Sequence, residues 1–217
     1  MPHLKFILPT APTQPVTMNG GMPMPSWYDI TGLDERSNEN CAGIDRAQTT
    51  VKEILAQEHA STGLPYRRMV LAGFSQGGAL SLFTGLQLEH KLGGIVVMSG
   101  YLPAAAQFQI TPGLEDTSIL HCHGEADPMV VVDVAKKSQD VVLSKGAASY
   151  DLKTYPGLVH SVSIEEIADV QEFLKNILPL DAACRVTLQE PADMSVKELR
   201  AAVRAAGLGS KAMGFME

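Results

Sequence analysis

The stretch from Met69 to Leu86 constrains this chain more than any other. An apolar run, Met69-Val70-Leu71-Ala72, passes through Gly73-Phe74-Ser75-Gln76-Gly77 straight into a helical pattern, Gly77 to Leu86, with Leu80, Phe83 and Thr84 on one side. A buried strand that becomes a helix within so few residues is one unit of an alternating β/α array. The rest of the chain repeats the alternation. Ile44, Ala47, Val51, Ile54 and Leu55 predict a helix over residues 40–59. Gly94-Ile95-Val96-Val97-Met98 and Ser118-Ile119-Leu120-His121-Cys122 predict strands, Val131 to Leu143 a helix, and Tyr150 to Tyr155 a strand. Ile164, Ile167, Val170, Phe173, Leu174 and Ile177 predict a last helix. Such an array is an α/β fold, a mostly parallel sheet flanked by helices, with the carboxyl ends of the strands along one edge where ligands bind.

The two ends read differently. Phe6-Ile7-Leu8 is expected to be a strand, and residues 9–37, rich in Pro, Gly, Thr and Met, a long loop holding the only tryptophan, Trp27. After Pro179 the pattern stops. Residues 1–179 are expected to form the α/β domain and residues 180–217 a linker plus a small helical tail, opened by the capping box Ser195-Val196-Lys197-Glu198 and carried by Leu199 and Val203 to Gly207.

Gly73-Phe74-Ser75-Gln76-Gly77 fits G-x-S-x-G, a pattern that a chain of this composition meets by chance about one time in ten. Its context says more. It follows a strand and opens a helix, the place where a nucleophile elbow lifts a serine off the sheet edge. Small residues are expected at both flanks of so tight a turn, and the Gln76 amide is the expected oxyanion donor. A serine needs a base. Six histidines compete: His3, His59, His90, His121, His123 and His160. Only His160 follows a strand and a Pro156-Gly157 turn on the same edge as Ser75; His59 and His90 lie at polar helix ends. The base needs a carboxylate to fix its tautomer. Asp127 lies past a strand end in His123-Gly124-Glu125-Ala126-Asp127-Pro128, with Glu125 as its rival. The order Ser75, Asp127, His160 is that of one of the known triad arrangements.

Other chemistries are poorly served. A net charge of −7 without basic clusters argues against binding nucleic acid. Three cysteines, Cys41, Cys122 and Cys184, form no disulfide framework. His121 and His123 invite a metal, but a strand turns Cys122 to the opposite face and no second ligand cluster exists, so no metal is expected. No 18-residue apolar stretch occurs, and Met1-Pro2-His3-Leu4-Lys5 lacks a signal-peptide pattern, so a cytoplasmic location is expected.

Phe74-Ser75-Gln76-Gly77-Gly78-Ala79-Leu80-Ser81-Leu82, then His121-Cys122-His123-Gly124 with Asp127-Pro128, then Tyr155 to His160-Ser161, resemble the acyl-protein thioesterase and lysophospholipase/carboxylesterase family of α/β hydrolases. Pro9-Thr10-Ala11-Pro12, Pro15-Val16-Thr17 and Met24-Pro25-Ser26-Trp27-Tyr28-Asp29 resemble its upstream segments, and the likeness covers residues 4–179 but not the tail. The resemblance implies an enzyme without a cofactor that acts on S-acylated proteins or lipid esters, with transient contact to a membrane surface left open. It implies Ser75, Asp127 and His160 as catalytic residues and the Gln76 amide in the oxyanion hole. Trp27, Tyr101 (in a slot usually held by tryptophan) and Met129 would bind the acyl group. Such enzymes begin with further strands and a His-Gly oxyanion loop; here no His-Gly precedes Ser75, so the chain is expected to be N-terminally incomplete. A general carboxylesterase or lysophospholipase, a catalytically incompetent chain that binds acyl groups or partners, and a tail that recruits an unknown partner stay open.

Overall fold

Four of the apolar runs become one parallel sheet in a computed structural model, which describes residues 4–32, 39–181, 184, 192 and 194–205. The strands are β3 (Val70–Phe74), β4 (Gly94–Met98), β5 (Ile119–Gly124) and β6 (Tyr150–Tyr155), in spatial order β3-β4-β5-β6. They follow a small antiparallel ribbon of β1 (Thr13–Val16) and β2 (Met22–Pro25). The helices are α1 (Ile44–Thr62), α2 (Gln76–Gly85), α3 (Val132–Ser144), α4 (Ile164–Ile177) and α5 (Val196–Ala205). Among the described residues none is long and apolar enough to cross a membrane. The chain divides into two compact units, Met1–Leu180 and Asp181–Glu217.

Packing explains the pattern. β4 and β5 lie between neighbours on both sides, and Ile95, Val96, Val97, Ile119 and Leu120 are fully buried. That is why they read as continuous apolar runs. α2 is buried along its whole length from Gly78 to Gly85, not on one side as the spacing suggests. Its Gly85 faces the Ile95 side chain so closely that any side chain there would collide. α4 starts at a reciprocal cap: Ser163 accepts from the Glu166 amide at 3.1 Å and Glu166 accepts from the Ser163 amide at 3.3 Å.

Three expectations fail. Phe6-Ile7-Leu8 is not a strand: it pairs with nothing described and stays exposed. Apolar character without a partner ladder does not make a strand. β3 is not the buried strand expected of Met69 to Ala72; among the described residues it pairs with β4 alone, and Ala72 is exposed. The segment 9–37 is not all loop, because Thr13–Val16 pairs with Met22–Pro25 across a turn in which Gly20 and Gly21 have φ of 67° and 76°. The prolines at 15, 23 and 25 hide this ribbon in the sequence; a two-stranded ribbon has only edges, where proline is tolerated. Asp29 ties the turn down by accepting from the Thr17 amide at 2.8 Å and hydroxyl at 2.6 Å.

In the second unit α5 follows the expected box, with the Ser195 hydroxyl and amide donating to Glu198 at 2.6 and 2.8 Å. The readings made on His3, on 33–38 and on the tail past 205 lie outside the described residues.

Candidate active site

Parallel strands carry their carboxyl ends to one edge, and the segments that follow β3, β5 and β6 there deliver Ser75, Asp127 and His160. Ser75 sits between β3 and α2 at φ 53°, ψ −120°, a conformation that costs a non-glycine residue about 1–3 kcal/mol. Its amide donates to the Met98 carbonyl at 2.8 Å and its carbonyl accepts from Ala79 at 2.9 Å. Steric crowding enforces the turn. A Cβ on Gly73 would fall on the backbone of Gly77 and Gly78, and one on Gly78 would lie 2.8 Å from the Gly73 oxygen. Gly77 meets nothing within 4 Å. The small residues this elbow needs are therefore Gly73 and Gly78, not both flanks of the pentapeptide.

His160 Nε2 lies 3.0 Å from Ser75 Oγ, and His160 Nδ1 lies 2.7 Å from Asp127 Oδ2. Asp127 is buried and only accepts, so His160 donates to it from Nδ1 and faces the serine hydroxyl with a bare Nε2. The Phe74 ring lies against the imidazole, centroids 4.8 Å apart. Asp127 Oδ1 is occupied by the amides of Met129 and Val130 at 2.8 and 2.9 Å. Glu125, the rival carboxylate, is taken by the Thr154 hydroxyl at 2.8 Å. The turns carrying acid and base are joined at 3.0 Å by the Ala126 amide and the Leu158 carbonyl. That approach requires Gly124, where a Cβ would strike the Leu158 carbonyl.

Gln76 does two things, only one of which is legible from its position. As the first residue of α2 its N–H has no partner within the helix and is available to an oxyanion. Its side chain holds the segment 26–28: Oε1 accepts from the Trp27 amide at 2.9 Å, and Nε2 donates to the Tyr28 carbonyl at 2.8 Å and the Ser26 hydroxyl at 2.9 Å.

The three expected acyl contacts land in different surroundings. Tyr101 is buried in the core with its hydroxyl 3.0 Å from that of Tyr28, and burial pushes its phenol up to about 12. Trp27 lines a cleft of about 430 Å³ with Pro12, Gln14, Arg46 and Thr50, none of them a triad residue. Met129 is half exposed beside the acid, and Val131, Val159 and Val162 are exposed on the same two turns. The remaining histidines separate as well. His59 and His90 are exposed, and both stack on one ring, Tyr66, with centroids 4.8 and 4.4 Å away. His121 and His123 are wholly buried in β5, while Cys122 faces away from them and accepts from the Tyr155 hydroxyl at 3.3 Å.

A family model described as phospholipase/carboxylesterase matches residues 1–178. Acyl-protein thioesterase 1 of Mycosarcoma maydis is 37% identical over 190 residues, which cover 82% of this chain and 79% of that protein. SOBER1 of Arabidopsis thaliana superposes with a TM-score of 0.69 at 33% identity, over 79% of this chain and 83% of that one. Acyl-protein thioesterase 2 of Zea mays gives 0.67 at 28% identity, over 78% and 80%.

Proposed function

The chain belongs to the phospholipase/carboxylesterase family of α/β hydrolases, and on that premise we propose that it hydrolyses acyl thioesters of S-acylated proteins, and related carboxylic esters, through an acyl-enzyme on Ser75. The observation that carries the reading is the hydrogen-bonded line from Ser75 through His160 to Asp127, at 3.0 and 2.7 Å, at the head of α2.

In the first half-reaction His160 Nε2 takes the Ser75 proton as Oγ attacks the acyl carbonyl carbon. The negative charge moves to the carbonyl oxygen, and the Gln76 N–H donates to it. Asp127 stabilises the imidazolium through its Nδ1 proton. Collapse expels the thiolate or alkoxide, which His160 protonates. In the second half-reaction His160 deprotonates a water that attacks the acyl-serine, and Ser75 is released with its proton restored. The apolar rim of Met129, Val131, Val159 and Val162 suits an acyl chain, and its exposure suits transient contact with a membrane surface. A cytoplasmic site of action agrees with the buried thiols of Cys41 and Cys122, neither of which is in a disulfide.

The test is turnover of a palmitoyl thioester and of short-chain esters, with fluorophosphonate labelling of the native and heat-denatured chain. Expected are labelling at Ser75 in the native sample only, and loss of both label and turnover in Ser75→Ala. Turnover that survives Ser75→Ala overturns the reading. A rate that prefers short acyl chains favours the general carboxylesterase alternative.

A further inference from the structure

Two buried histidines and a partly buried tyrosine that bond to neither Ser75 nor His160 run in a line to the turn that holds the acid. The Tyr150 hydroxyl lies 2.8 Å from His121 Nδ1, His121 Nε2 lies 3.3 Å from His123 Nδ1, and His123 Nε2 lies 2.7 Å from the Val130 carbonyl oxygen. The direction of every proton follows from the last link. A carbonyl only accepts, so His123 donates from Nε2. A neutral ring then has a bare Nδ1, which accepts from His121 Nε2–H. His121 Nδ1 is then bare in its turn and accepts the Tyr150 hydroxyl proton.

A second proton on either ring would force the His121 tautomer to change or the Tyr150 hydroxyl to turn away, and would put a charge in a place closed to water. Burial pushes His121 down to about 3, and the neighbouring imidazole adds to the effect while the Gly100 carbonyl opposes it. Burial likewise pushes His123 down, against the Val130 carbonyl and the Asp127 carboxylate 3.7 Å away and with His160 adding to the fall. Burial also keeps Tyr150 protonated. Both rings are neutral at pH 7.

Val130 is the hinge of the arrangement. Its carbonyl is gripped by His123, and its amide, with that of Met129, grips Asp127 Oδ1. We propose that His123 is a positioning residue for Asp127: held in its donating tautomer by His121 and Tyr150, it pins the 127–130 turn so that Oδ2 stays aimed at His160. The inference rests on the serine-hydrolase reading above.

The test uses the whole chain and two readouts: imidazole ¹⁵N shifts with the low-field proton of His160 Nδ1, and kcat against KM for a thioester. In the wild type His121 and His123 are expected as neutral Nε2–H forms at pH 7, and His121 should not titrate between about pH 5 and 8. His123→Leu, which has no donor, is expected to lower kcat by about tenfold to a hundredfold with KM little changed, the size of a small misplacement in an oriented site. It should also weaken the His160 low-field proton. His123→Gln, which keeps an N–H, should recover most of both. A His123 found as Nδ1–H, or equal losses in His123→Leu and His123→Gln, overturns the proposal. Should His123→Leu not fold, Tyr150→Phe decides: kcat and the His123 shifts both unchanged would overturn it, and both altered would support it. Turnover that does not depend on Ser75 sinks the hydrolase reading instead, and the tautomers and the low-field proton still judge the line of bonds.

Discussion

The nucleophile and its two partners are held by opposite means. Ser75 is placed by crowding: Gly73 and Gly78 have no room for a Cβ, and the backbone is forced to φ 53°. Asp127 and His160 are placed by hydrogen bonds, from the Met129 and Val130 amides, from each other and from the buried histidines behind them. Crowding has no protons to lose and no tautomer to mistake. Hydrogen bonds have both. The elbow should therefore fail when volume is added without changing charge, and the acid–base side when charge changes without changing volume.

The largest effect should come from a substitution that conserves shape. Asp127→Asn keeps its one oxygen for the two amides but turns an N–H towards His160 Nδ1. The imidazole then loses its tautomer and its counter-charge, and kcat should fall by about 10⁴-fold, the cost of that change in a serine triad. Melting should move little. A loss under about tenfold would mean that hydrogen bonding to Asp127 does not govern this side.

The elbow should give the converse pair. Gly73→Ala should destabilise by about 1–3 kcal/mol, as overpacking does, and lower kcat/KM by about a hundredfold through a displaced Oγ. Gly77→Ala has open space in the first turn of α2 and should leave stability within about 1 kcal/mol of wild type, with alanine favoured by helix propensity. Urea melts and turnover of the two variants measure the difference. Equal tolerance at both positions would break the idea that crowding sets the serine.

The same contrast explains what the sequence could tell. The β3-to-α2 turn was legible because crowding leaves glycines in a fixed pattern beside Ser75, even though the pattern misnames Gly77 as the needed flank and passes over Gly78. β4, β5 and α4 were legible because burial between neighbours leaves runs and periods. Nothing local marks Gly124, which is needed only because the Leu158 carbonyl comes across from another loop. Nor does anything mark the Gln76 side chain, whose partners lie about fifty residues upstream, |i−j| of 48 to 50. Phe6-Ile7-Leu8 misled because a strand is made by its neighbour rather than by its own residues. The ribbon 13–25 misled because prolines mask pairing that edges permit. His121 and His123 did carry a signal, two histidines of one strand face, but a period of two says only that they share surroundings, not that those surroundings are dry.

Acid should separate the two sides next. His121 titrates near 3 when folded, below its ordinary range near 6.5. Between those values the unfolded chain binds a proton that the folded chain refuses, so stability rises with pH there and is lost on acidification. By pH 5 the loss should be about 2 kcal/mol from His121. Replacing it by Gln should remove that slope in urea melts between pH 7 and 5, whereas Gly77→Ala, on the elbow side, should leave it unchanged. A slope undiminished in His121→Gln would place the titrating group elsewhere; a residual slope is expected from His123, which burial also pushes down.

The smallest effect should fall where the two modes meet. Gln76 gives its amide to the elbow and its side chain to Ser26, Trp27 and Tyr28, and Tyr28 in turn bonds the hydroxyl of buried Tyr101. Gln76→Ala leaves the amide where crowding puts it and removes only the hydrogen bonds. The Trp27 amide loses its partner in partly exposed surroundings, while the buried Tyr28 carbonyl keeps the Ser26 hydroxyl at 2.6 Å, so the cost should be about 1–2 kcal/mol. Stability should therefore drop while kcat stays close to that of the wild type. KM should rise if segment 26–28 contacts the acyl group, as the family resemblance implies for Trp27. A large fall in kcat at unchanged KM would show that the oxyanion N–H is aimed by the side chain after all, and the elbow would then join the acid–base side as a structure held by hydrogen bonds.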